Sequence, residues 1–327
     1  MTPGTMISES DLSKLYESTF RDVTLHNSHA EMYDPVYYFM ANEGKRIRPL
    51  LVLNSCNMFG GEIKHALNPA FAVQMFHNFT LVHDDIMDEA DLRRGQQTVH
   101  KIYGQNQAIL TGDIILILAY KYLAQTEEKN LTSLFNVFNR TAIQIIEGQQ
   151  MDMEFEDRLM VTEQEYLTMI EYKTSVLLAA SLKIGAIVAN TSTANQDLAY
   201  KFGRNLGLAF QLKDDYLDSF GDAAKTGKKV GGDIMNNKKT FLFVRALSKA
   251  NQGTKQTIEE LLVCEDEGKK IDEMINIYKD LKVDQANEAL MTEYFEKALE
   301  NLKTIDIDQE RKEPLFDLAD KIFMRDH

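Results

Sequence analysis

Proline is absent from the long central part of this chain. The 327-residue sequence has five prolines, and none lies between Ala70 and Glu313. Within this stretch apolar residues recur at intervals of three and four, as in YLTMIEYKTSVLLAASLKIGAIVA, which is the spacing of a buried helix face. Alternating strand patterns bounded by hairpin turns are scarce. The sequence therefore predicts an all-α protein of about ten to thirteen helices.

One helix start and one loop can be placed within this pattern. Thr162 followed three residues later by Glu165 is a capping box, which predicts that a helix begins there. The segment 219–239, SFGDAAKTGKKVGGDIMNNKK, is rich in Gly, Lys and Asn and predicts the main loop of the chain. Because no Pro-rich or Gly/Ser-rich linker divides the sequence, we expect residues 1–327 to form a single domain.

Charge and composition limit the partners. The net charge is -14, from 36 basic and 50 acidic residues, which disfavours nucleic acid because phosphate backbones need a basic surface. The two cysteines, Cys56 and Cys264, form no CxxC pair, which argues against a zinc site or a disulfide framework. The N-terminus lacks a signal-peptide core, and no apolar run reaches the roughly 20 residues that a membrane helix needs. We expect a cytoplasmic protein with no transmembrane segment.

One acidic motif of five residues occurs twice. The first pentad is Asp84-Asp85-Ile86-Met87-Asp88, and the second is Asp214-Asp215-Tyr216-Leu217-Asp218. Three carboxylates so close together repel one another, and a fold tolerates them when cations sit among them. On a helix, the first and last aspartates of each pentad share a face. A solvated acidic surface would explain one copy, but two copies inside apolar helical runs predict a cage of oxygen ligands that suits several Mg²⁺ ions.

Cationic residues accompany the pentads. The segment 44–49, GKRIRP, puts three cations in four residues before a predicted helix. Arg93 and Arg94 follow the first pentad by about one turn, and adjacent side chains on a helix would diverge. Arg can bind two phosphate oxygens at once, and Lys173 lies in an apolar helix where an unpaired charge would be costly. The loop adds Lys228, Lys229, Lys238 and Lys239. Single runs of this kind are usually solvated, but together with the pentads they predict Mg²⁺, Arg and Lys gathered on a diphosphate.

These residues resemble a known family. The motifs GKRIRP, HNFTLVHDDIMD, RRGQQTVH, GQQMDM, YKT, FQLKDDYLD and GGDIMNNKK occur in the order found in trans-isoprenyl diphosphate synthases, the polyprenyl synthetases. The resemblance runs from Gly44 to Lys239, and Glu43 replaces the first glycine of the family's usual GGKRIRP. It implies the isoprenoid synthase fold, a helical bundle around a central cavity, and a homodimer.

The resemblance also implies residue roles. Six aspartates and one lysine would be catalytic: Asp84, Asp85, Asp88, Asp214, Asp215, Asp218 and Lys173. All of these aspartates except Asp215 would hold metal directly, with three Mg²⁺ ions per site and Mn²⁺ as a substitute. The residues on the allylic diphosphate would be Arg93, Lys173, Thr174, Gln211, Lys238 and either Lys228 or Lys229, of which Lys229 keeps the family spacing to Asp233. Those on isopentenyl diphosphate would be Lys45, Arg48, His77 and Arg94. Gln149 and Asp152 would support the metal ligands.

The implied reaction is prenyl transfer. Mg²⁺ and cationic side chains would stabilise the departing diphosphate while the allylic C–O bond ionises. The double bond of isopentenyl diphosphate would then attack the carbocation, and a proton would be lost. The substrates would be isopentenyl diphosphate and a dimethylallyl, geranyl or farnesyl diphosphate.

Residues before the first pentad would set the product length. Phe79 and Thr80 stand five and four residues before Asp84. An aromatic residue followed by a small one resembles the geranylgeranyl type of short-chain synthase, with the farnesyl type second. On a helical wheel, however, Thr80 and Phe76 share the Asp84 face better than Phe79 does, so Phe76 could also be part of the stop, or both Phe residues could be ordinary core.

Two other classes share parts of this pattern. A terpene cyclase also uses an aspartate-rich helix with Mg²⁺, but its second metal motif usually carries Asn or Asp, Ser or Thr, and Glu rather than a second DDxxD. A non-catalytic subunit of a heteromeric synthase normally loses aspartates, and none is lost here. The second pentad and the residues assigned to isopentenyl diphosphate favour chain elongation over both alternatives.

Overall fold

The computed structural model describes residues 6–21, 23–25, 30–41, 44–221 and 230–324. Nearly all of them are helical, and the only strands among them are two residues long, so the expected all-α fold is confirmed. The elements are α1 Glu9–Phe20, α2 Ala30–Ala41, α3 Ile47–Met58, α4 Ile63–Met87, β1 Leu92–Arg93, β2 Gln96–Gln97, α5 Val99–Tyr103, α6 Gln105–Leu123, α7 Glu128–Glu156, α8 Glu163–Ile170, a π-helical turn Glu171–Ser175, α9 Val176–Val188, α10 Thr193–Phe220, α11 Gly232–Met235, α12 Phe241–Lys249, α13 Gln252–Leu262, α14 Glu267–Asp280, α15 Val283–Thr304 and α16 Gln309–Phe323.

Local signals explain where several helices begin. The Thr162 side chain accepts from the Glu165 backbone N–H, and the Glu165 carboxylate accepts from the Thr162 N–H. The predicted capping box is therefore confirmed. Asn251 and Asp266 cap α13 and α14 with their side chains, which satisfies N–H groups that have no partner within the helix. The described helices outnumber the ten to thirteen expected, in part because α5 and α11 have only five and four residues, which is too short for periodicity to detect.

The chain divides into two compact units. The first comprises Met1–Phe138 and Ser181–Gln196. In it, α4 packs along α6 and α3 and buries side chains such as Phe71 and Phe76. Apolar residues lie all around α4, as in helices that are enclosed on every side. Because the first pentad lies at the end of α4, this packing fixes its backbone.

The second unit comprises Asn139–Ala180 and Asp197–His327. Its core includes Tyr166, Phe241 and Tyr278, all at most 1% exposed. Helix α12 packs against α8 and α15, and α14 packs against α11 and α13. The second pentad lies within α10, near its end. That the whole chain forms one domain stays a prediction.

Two predicted segments differ in detail from the structure. The apolar run after Thr162 is helical from Glu163 to Val188, but the turn Glu171–Ser175 is π-helical. The main loop starts later than expected because α10 continues to Phe220. Part of the predicted loop, residues 222–229, lies outside the described residues, and α11 occupies residues beyond it.

Among the described residues, we find no helix with the length and apolar character that crossing a membrane requires.

Candidate active site

The first pentad is divided between the interior and the surface. Asp85 is 1% exposed, and its Oδ1 accepts from Arg93 Nε at 2.8 Å and from Arg93 Nη2 at 2.5 Å. Its Oδ2 is buried and has no hydrogen-bond partner among the described residues. Asp84 is half-buried and Asp88 is exposed. The second aspartate therefore binds an arginine, while the first and last lie nearer to solvent.

Helix α4 ends within this pentad. The Glu89 N–H donates to the Ile86 carbonyl and the Ala90 N–H donates to the Asp85 carbonyl, with Glu89 at φ 49°. These bonds form a Schellman motif, in which a residue in the left-handed region stops the helix. Met87 is consequently the last residue of α4.

Arg93 and Arg94 lie on a β-hairpin, and the expectation that they continue a helix is wrong because of this stop. β1 and β2 pair antiparallel, with Arg93 opposite Gln96. The two residues between them, Arg94 and Gly95, have φ angles of 53° and 78°, as a type I′ turn requires. The side chains diverge as predicted, but the turn separates them: Arg93 binds Asp85, and the Arg94 guanidinium packs against Gly44.

A cluster of cations surrounds His77. Arg48 Nη1 lies 3.1 Å from His77 Nε2. Burial and then the positive charge of Arg48 lower the pKa of His77 well below its usual value, so the ring is neutral and accepts the Arg48 bond. Burial, followed by the charge of Arg94, lowers the pKa of Arg48 to about 10, so Arg48 stays charged at neutral pH. Arg48 Nε is buried without a partner among the described residues. Lys45, predicted to act with this cluster, is exposed.

The second pentad shows the same division with different partners. Asp215 is 5% exposed and accepts from the Tyr166 hydroxyl, from Gln211 Nε2 at 3.0 Å and from the Phe241 backbone N–H at 3.4 Å. Asp214 is exposed and Asp218 is half-buried. Neutral donors thus hold the second aspartate of this pentad.

Negative charge accumulates around the second pentad. Burial and the nearby Asp233 carboxylate raise the pKa of Asp215 to about 7, although the bonds from Tyr166 and Gln211 oppose the rise. The Asp233 backbone N–H donates to Asp218 Oδ2 at 2.8 Å. The Lys238 side chain is 52% exposed. Partial desolvation of its ammonium group disfavours the charged form, but Asp233 and the other carboxylates outweigh this and raise the pKa of Lys238 above its usual value.

Lys173 and Thr174 face two polar partners from neighbouring helices. Lys173 Nζ lies 2.6 Å from Asp152 Oδ2, and Thr174 Oγ1 donates to Gln211 Oε1 at 3.1 Å. Because Gln211 also donates to Asp215, a continuous set of hydrogen bonds joins Thr174 to the second pentad. The structure thus brings together several residues that the sequence had linked only by resemblance. Gln149, expected beside them, is half-buried on α7.

The lysines that follow α11 point in different directions. Lys238 is exposed, and its Nζ lies 3.6 Å from Asp233 Oδ1. Lys239 is 8% exposed, with Nζ bonded to the Asn237 carbonyl and placed over the Phe243 ring. Of these two lysines, Lys238 is therefore the one available to a ligand. Lys228 and Lys229, the alternatives for one allylic contact, lie outside the described residues.

The predicted chain-length residues occupy different environments. Phe76 is 1% exposed and Phe79 is 8% exposed, with ring centroids 5.6 Å apart. Phe79 also contacts the His83 ring, centroid to centroid 4.8 Å. Thr80 is half-buried, and its hydroxyl donates to the His77 carbonyl. Both phenylalanines are well packed, so either could resist a growing chain.

Two residues that sequence reasoning gave no role belong to this region. Tyr166 holds Asp215, and nothing in the sequence distinguished it among 13 tyrosines. Asp233 approaches both Asp218 and Lys238. It could have been noticed, because it stands in the quoted motif GGDIMNNKK, where two glycines precede a carboxylate.

The donor chemistry fits a divalent cation in part. Among the described residues, no three carboxylate, histidine or cysteine side chains converge as they would around a bound metal. Asp85 Oδ2, which has no hydrogen-bond partner in the described part of the chain, is nevertheless an oxygen acceptor in need of a donor or cation. Carboxylate oxygens are the ligands that Mg²⁺ prefers, and it usually takes its remaining ligands from water and substrate phosphate.

Comparisons with known proteins agree with this arrangement. Residues 29–281 match the Polyprenyl synthetase family. The geranylgeranyl diphosphate synthase of Sulfolobus acidocaldarius is 38% identical over 84% of this chain and 84% of its own length. A crystal structure of a geranylgeranyl pyrophosphate synthase, 41% identical, superposes with a TM-score of 0.92 over 98% of this chain and 99% of that one.

A further solved structure carries ligands. The polyprenyl synthase of Caulobacter crescentus CB15, complexed with calcium and isoprenyl diphosphate, is 27% identical, with a TM-score of 0.83 and full coverage of both chains. A family match over most of the sequence, with relatives aligned over most of their length, leaves one assignment. The chain belongs to the polyprenyl synthetase family.

Proposed function

We propose that this protein is a Mg²⁺-dependent trans-prenyltransferase that condenses isopentenyl diphosphate with an allylic diphosphate, head to tail, to give geranylgeranyl diphosphate. One observation carries the proposal: each pentad holds its second aspartate in the interior and leaves its first and last nearer to solvent. A pair of carboxylates one helical turn apart, backed by a fixed third, is suited to metal-bound diphosphate.

The metal ligands follow from this division. The first and last aspartates of each pentad would hold Mg²⁺, with three ions per site: Asp84, Asp88, Asp214 and Asp218. Asp85 would join them at the first pentad through its Oδ2, which has no hydrogen-bond partner among the described residues. When bound, the ions supply positive charge to the departing diphosphate. Asp215 would act by holding α10 through Tyr166 rather than by binding metal.

The allylic diphosphate has cationic and neutral donors available. Lys173 and Lys238 present ammonium groups, and Thr174 and Gln211 add a hydroxyl and an amide. Arg93 would contribute its guanidinium while it remains bonded to Asp85. These donors stabilise the charge that develops as the C–O bond ionises.

The isopentenyl diphosphate would bind the cluster around His77. Arg48 and Arg94 are charged, and the buried Arg48 Nε lacks an acceptor among the described residues. A buried donor without a partner is costly, and a phosphate oxygen would satisfy it. The neutral His77 orients Arg48 by accepting its Nη1 bond, and Lys45 adds an exposed charge.

Turnover assays test this function. The purified protein with Mg²⁺ and labelled isopentenyl diphosphate should extend dimethylallyl, geranyl and farnesyl diphosphates, with geranylgeranyl diphosphate as the main product and farnesyl diphosphate the second candidate. Mn²⁺ should substitute for Mg²⁺. A cyclase would instead convert an allylic diphosphate alone into hydrocarbon, and a non-catalytic subunit would turn over nothing alone.

The homodimer and the cytoplasmic location remain predictions. An apolar surface on α6 supports self-association: Ile109, Leu110 and Ile117 are 41%, 50% and 60% exposed, and exposed apolar patches mark interaction sites. Light scattering should give twice the mass of 37.4 kDa. A monomer would contradict the dimer without touching the assigned chemistry.

A further inference from the structure

The turn that carries Lys173 and Thr174 has an unusual backbone. Residues Glu171–Ser175 are π-helical, and the Val176 N–H donates to the Glu171 carbonyl, five residues back. Such a turn holds one more residue than an α-helical turn, so that the residues before and after it are rotated by about 100° relative to an unbroken helix. π-Helical turns are rare in proteins overall, but those that occur are often at functional sites. Neighbouring helices must therefore support this unusual backbone.

Helix α7 makes room for the turn with a glycine. A Cβ atom at Gly148 would lie 2.5 Å from the Lys173 backbone nitrogen and 2.8 Å from Tyr172 Cβ, so any larger residue would displace the turn. Asp152 stands four residues later, on the same face of the helix. There it binds the Lys173 ammonium at 2.6 Å. One helix face thus receives both the backbone and the side chain of Lys173.

Helix α10 repeats this arrangement on its own face. A Cβ atom at Gly207 would lie 2.6 Å from Ser175 Cα and 2.8 Å from Ser175 Cβ. Gln211, again four residues later, accepts the Thr174 hydroxyl bond at 3.1 Å. Each flanking helix therefore offers a glycine and, one turn on, a polar partner. The matching sequences are GQQMD and GLAFQ.

An ion pair fixes the first residue of the turn. Arg204 Nε and Nη2 lie 2.6 and 2.5 Å from the two oxygens of the Glu171 carboxylate. A bidentate pair of this kind adds geometric specificity to its energy. Arg204 stands three residues before Gly207, so the same face of α10 contacts both ends of the turn.

We propose that Gly148, Gly207 and Arg204 are positioning residues, which hold the π-helical turn so that the Lys173 ammonium and the Thr174 hydroxyl meet the allylic diphosphate. This inference rests on the proposed function for the identity of the ligand. The three residues act through Lys173 and Thr174, so their loss should weaken transfer from the allylic substrate selectively.

The test compares alanine at the two glycines with alanine at a third. Gly148→Ala and Gly207→Ala should each lower kcat/KM for the allylic diphosphate about 100-fold, because a 1 Å misplacement costs that much. The KM for isopentenyl diphosphate should change by less than about threefold. Gly185→Ala is the matched control, since its Cβ would lie 2.2 Å from the Val52 carbonyl oxygen on α3 and would not meet the turn. It should lower the melting temperature without a selective allylic defect.

The ion pair allows a test that adds no volume, in case a glycine variant fails to fold. Arg204→Gln and Glu171→Gln should each raise the allylic KM about tenfold. The exchanged double variant Glu171→Arg/Arg204→Glu should recover at least part of the loss. Equal effects on both substrates, or an unchanged allylic KM in Arg204→Gln, would overturn the positioning role.

Calorimetry with inorganic diphosphate and Mg²⁺ separates this inference from the proposed function. Wild-type protein that binds diphosphate but transfers no prenyl group would reject the function. In that case, a loss of diphosphate affinity in Gly148→Ala or Arg204→Gln would still support the positioning role. Unchanged affinity in these folded variants would reject the positioning role even if the wild-type enzyme were active.

Discussion

The two pentads have the same spacing of aspartates but different neighbours. At the first, Asp85 is balanced by a full positive charge on Arg93, and Arg48 and Arg94 lie close enough to influence one another and His77. At the second, the donors to Asp215 among the described residues are all neutral. Further carboxylates, among them Asp233, raise the pKa of Lys238. One motif thus lies in a region rich in arginine and the other in a region rich in carboxylate.

This difference shows that the pentad alone does not define its role. Arginines beside the first pentad can bind a diphosphate directly, because guanidinium matches phosphate oxygens. Around the second pentad, the described residues show several carboxylates beside Lys173 and Lys238: Asp152, Asp214, Asp215, Asp218 and Asp233. That imbalance favours cations.

The largest effect on turnover is expected when the first aspartate of either pentad, which lies nearer to solvent than the second, is removed. Asp84→Ala or Asp214→Ala should lower turnover by about 10³-fold while the fold survives, because each removes charge stabilisation from the departing diphosphate. Chelation should abolish wild-type turnover. Asp272→Ala, an exposed site on α14, is the control and should behave as wild type. Near-normal turnover in Asp84→Ala would refute the metal-ligand role.

The partners of the buried aspartates should differ in their effect on stability. Arg93→Ala leaves the buried Asp85 charge unpaired and should lower the free energy of unfolding by about 3 kcal/mol. Tyr166→Phe removes one of three donors to Asp215 and should lower it by about 1–2 kcal/mol. Urea titrations measure both. If Tyr166→Phe were the more destabilising change, the contrast between a charged and a neutral support would be wrong.

The arginine-rich region should control one substrate more than the other. Arg94→Ala, Lys45→Ala and His77→Ala should each raise the KM for isopentenyl diphosphate about tenfold, the loss expected for one charge-assisted contact. The allylic KM should change little. Steady-state kinetics with each substrate varied in turn decides, and a rise confined to the allylic KM would reverse the assignment.

Product length should depend on the residues before the first pentad. Phe79→Ala opens space where the chain is expected to stop and should give products longer than geranylgeranyl diphosphate. Phe71→Ala removes the same volume from the same helix, but its ring stacks on Phe20, so it should cost stability without lengthening the product. Chromatography of the products measures this. No change in Phe79→Ala, or a wild-type product beyond twenty-five carbons, would leave the stop to Phe76 or to other residues.

The smallest effect is the pH dependence that His77 contributes. Its pKa in the folded protein lies well below its usual value, so below about pH 6.5 the unfolded chain gains a proton that the folded protein does not. Stability should therefore fall as the pH drops from 7.5 to 5.5, by up to about 1.4 kcal/mol per pH unit from this residue. His77→Asn should flatten the curve, and an unchanged slope would contradict a neutral buried imidazole.

Much of this molecule could be predicted because its signals are local. Helical periodicity, the Thr162 capping box and the pentads each depend on residues close in sequence. The end of α4 was missed because its left-handed residue is Glu89, whereas glycine is the usual signal. The π-helical turn was missed because the residues that hold it, Gly148 and Gly207, come from other helices. Tyr166 likewise acquires its role only through a contact 49 residues away.

The turn at Arg94 has a consequence for attempts to make this protein more stable. Its φ of 53° costs an ordinary L-residue about 1 kcal/mol, and asparagine or glycine would suit a type I′ turn better. A thermostabilisation campaign guided by backbone preference would select Arg94→Asn early. It would gain heat resistance and discard a guanidinium that we assign to a substrate. At a position of this kind, where the side chain and the backbone favour different residues, a gain in stability is expected to cost activity.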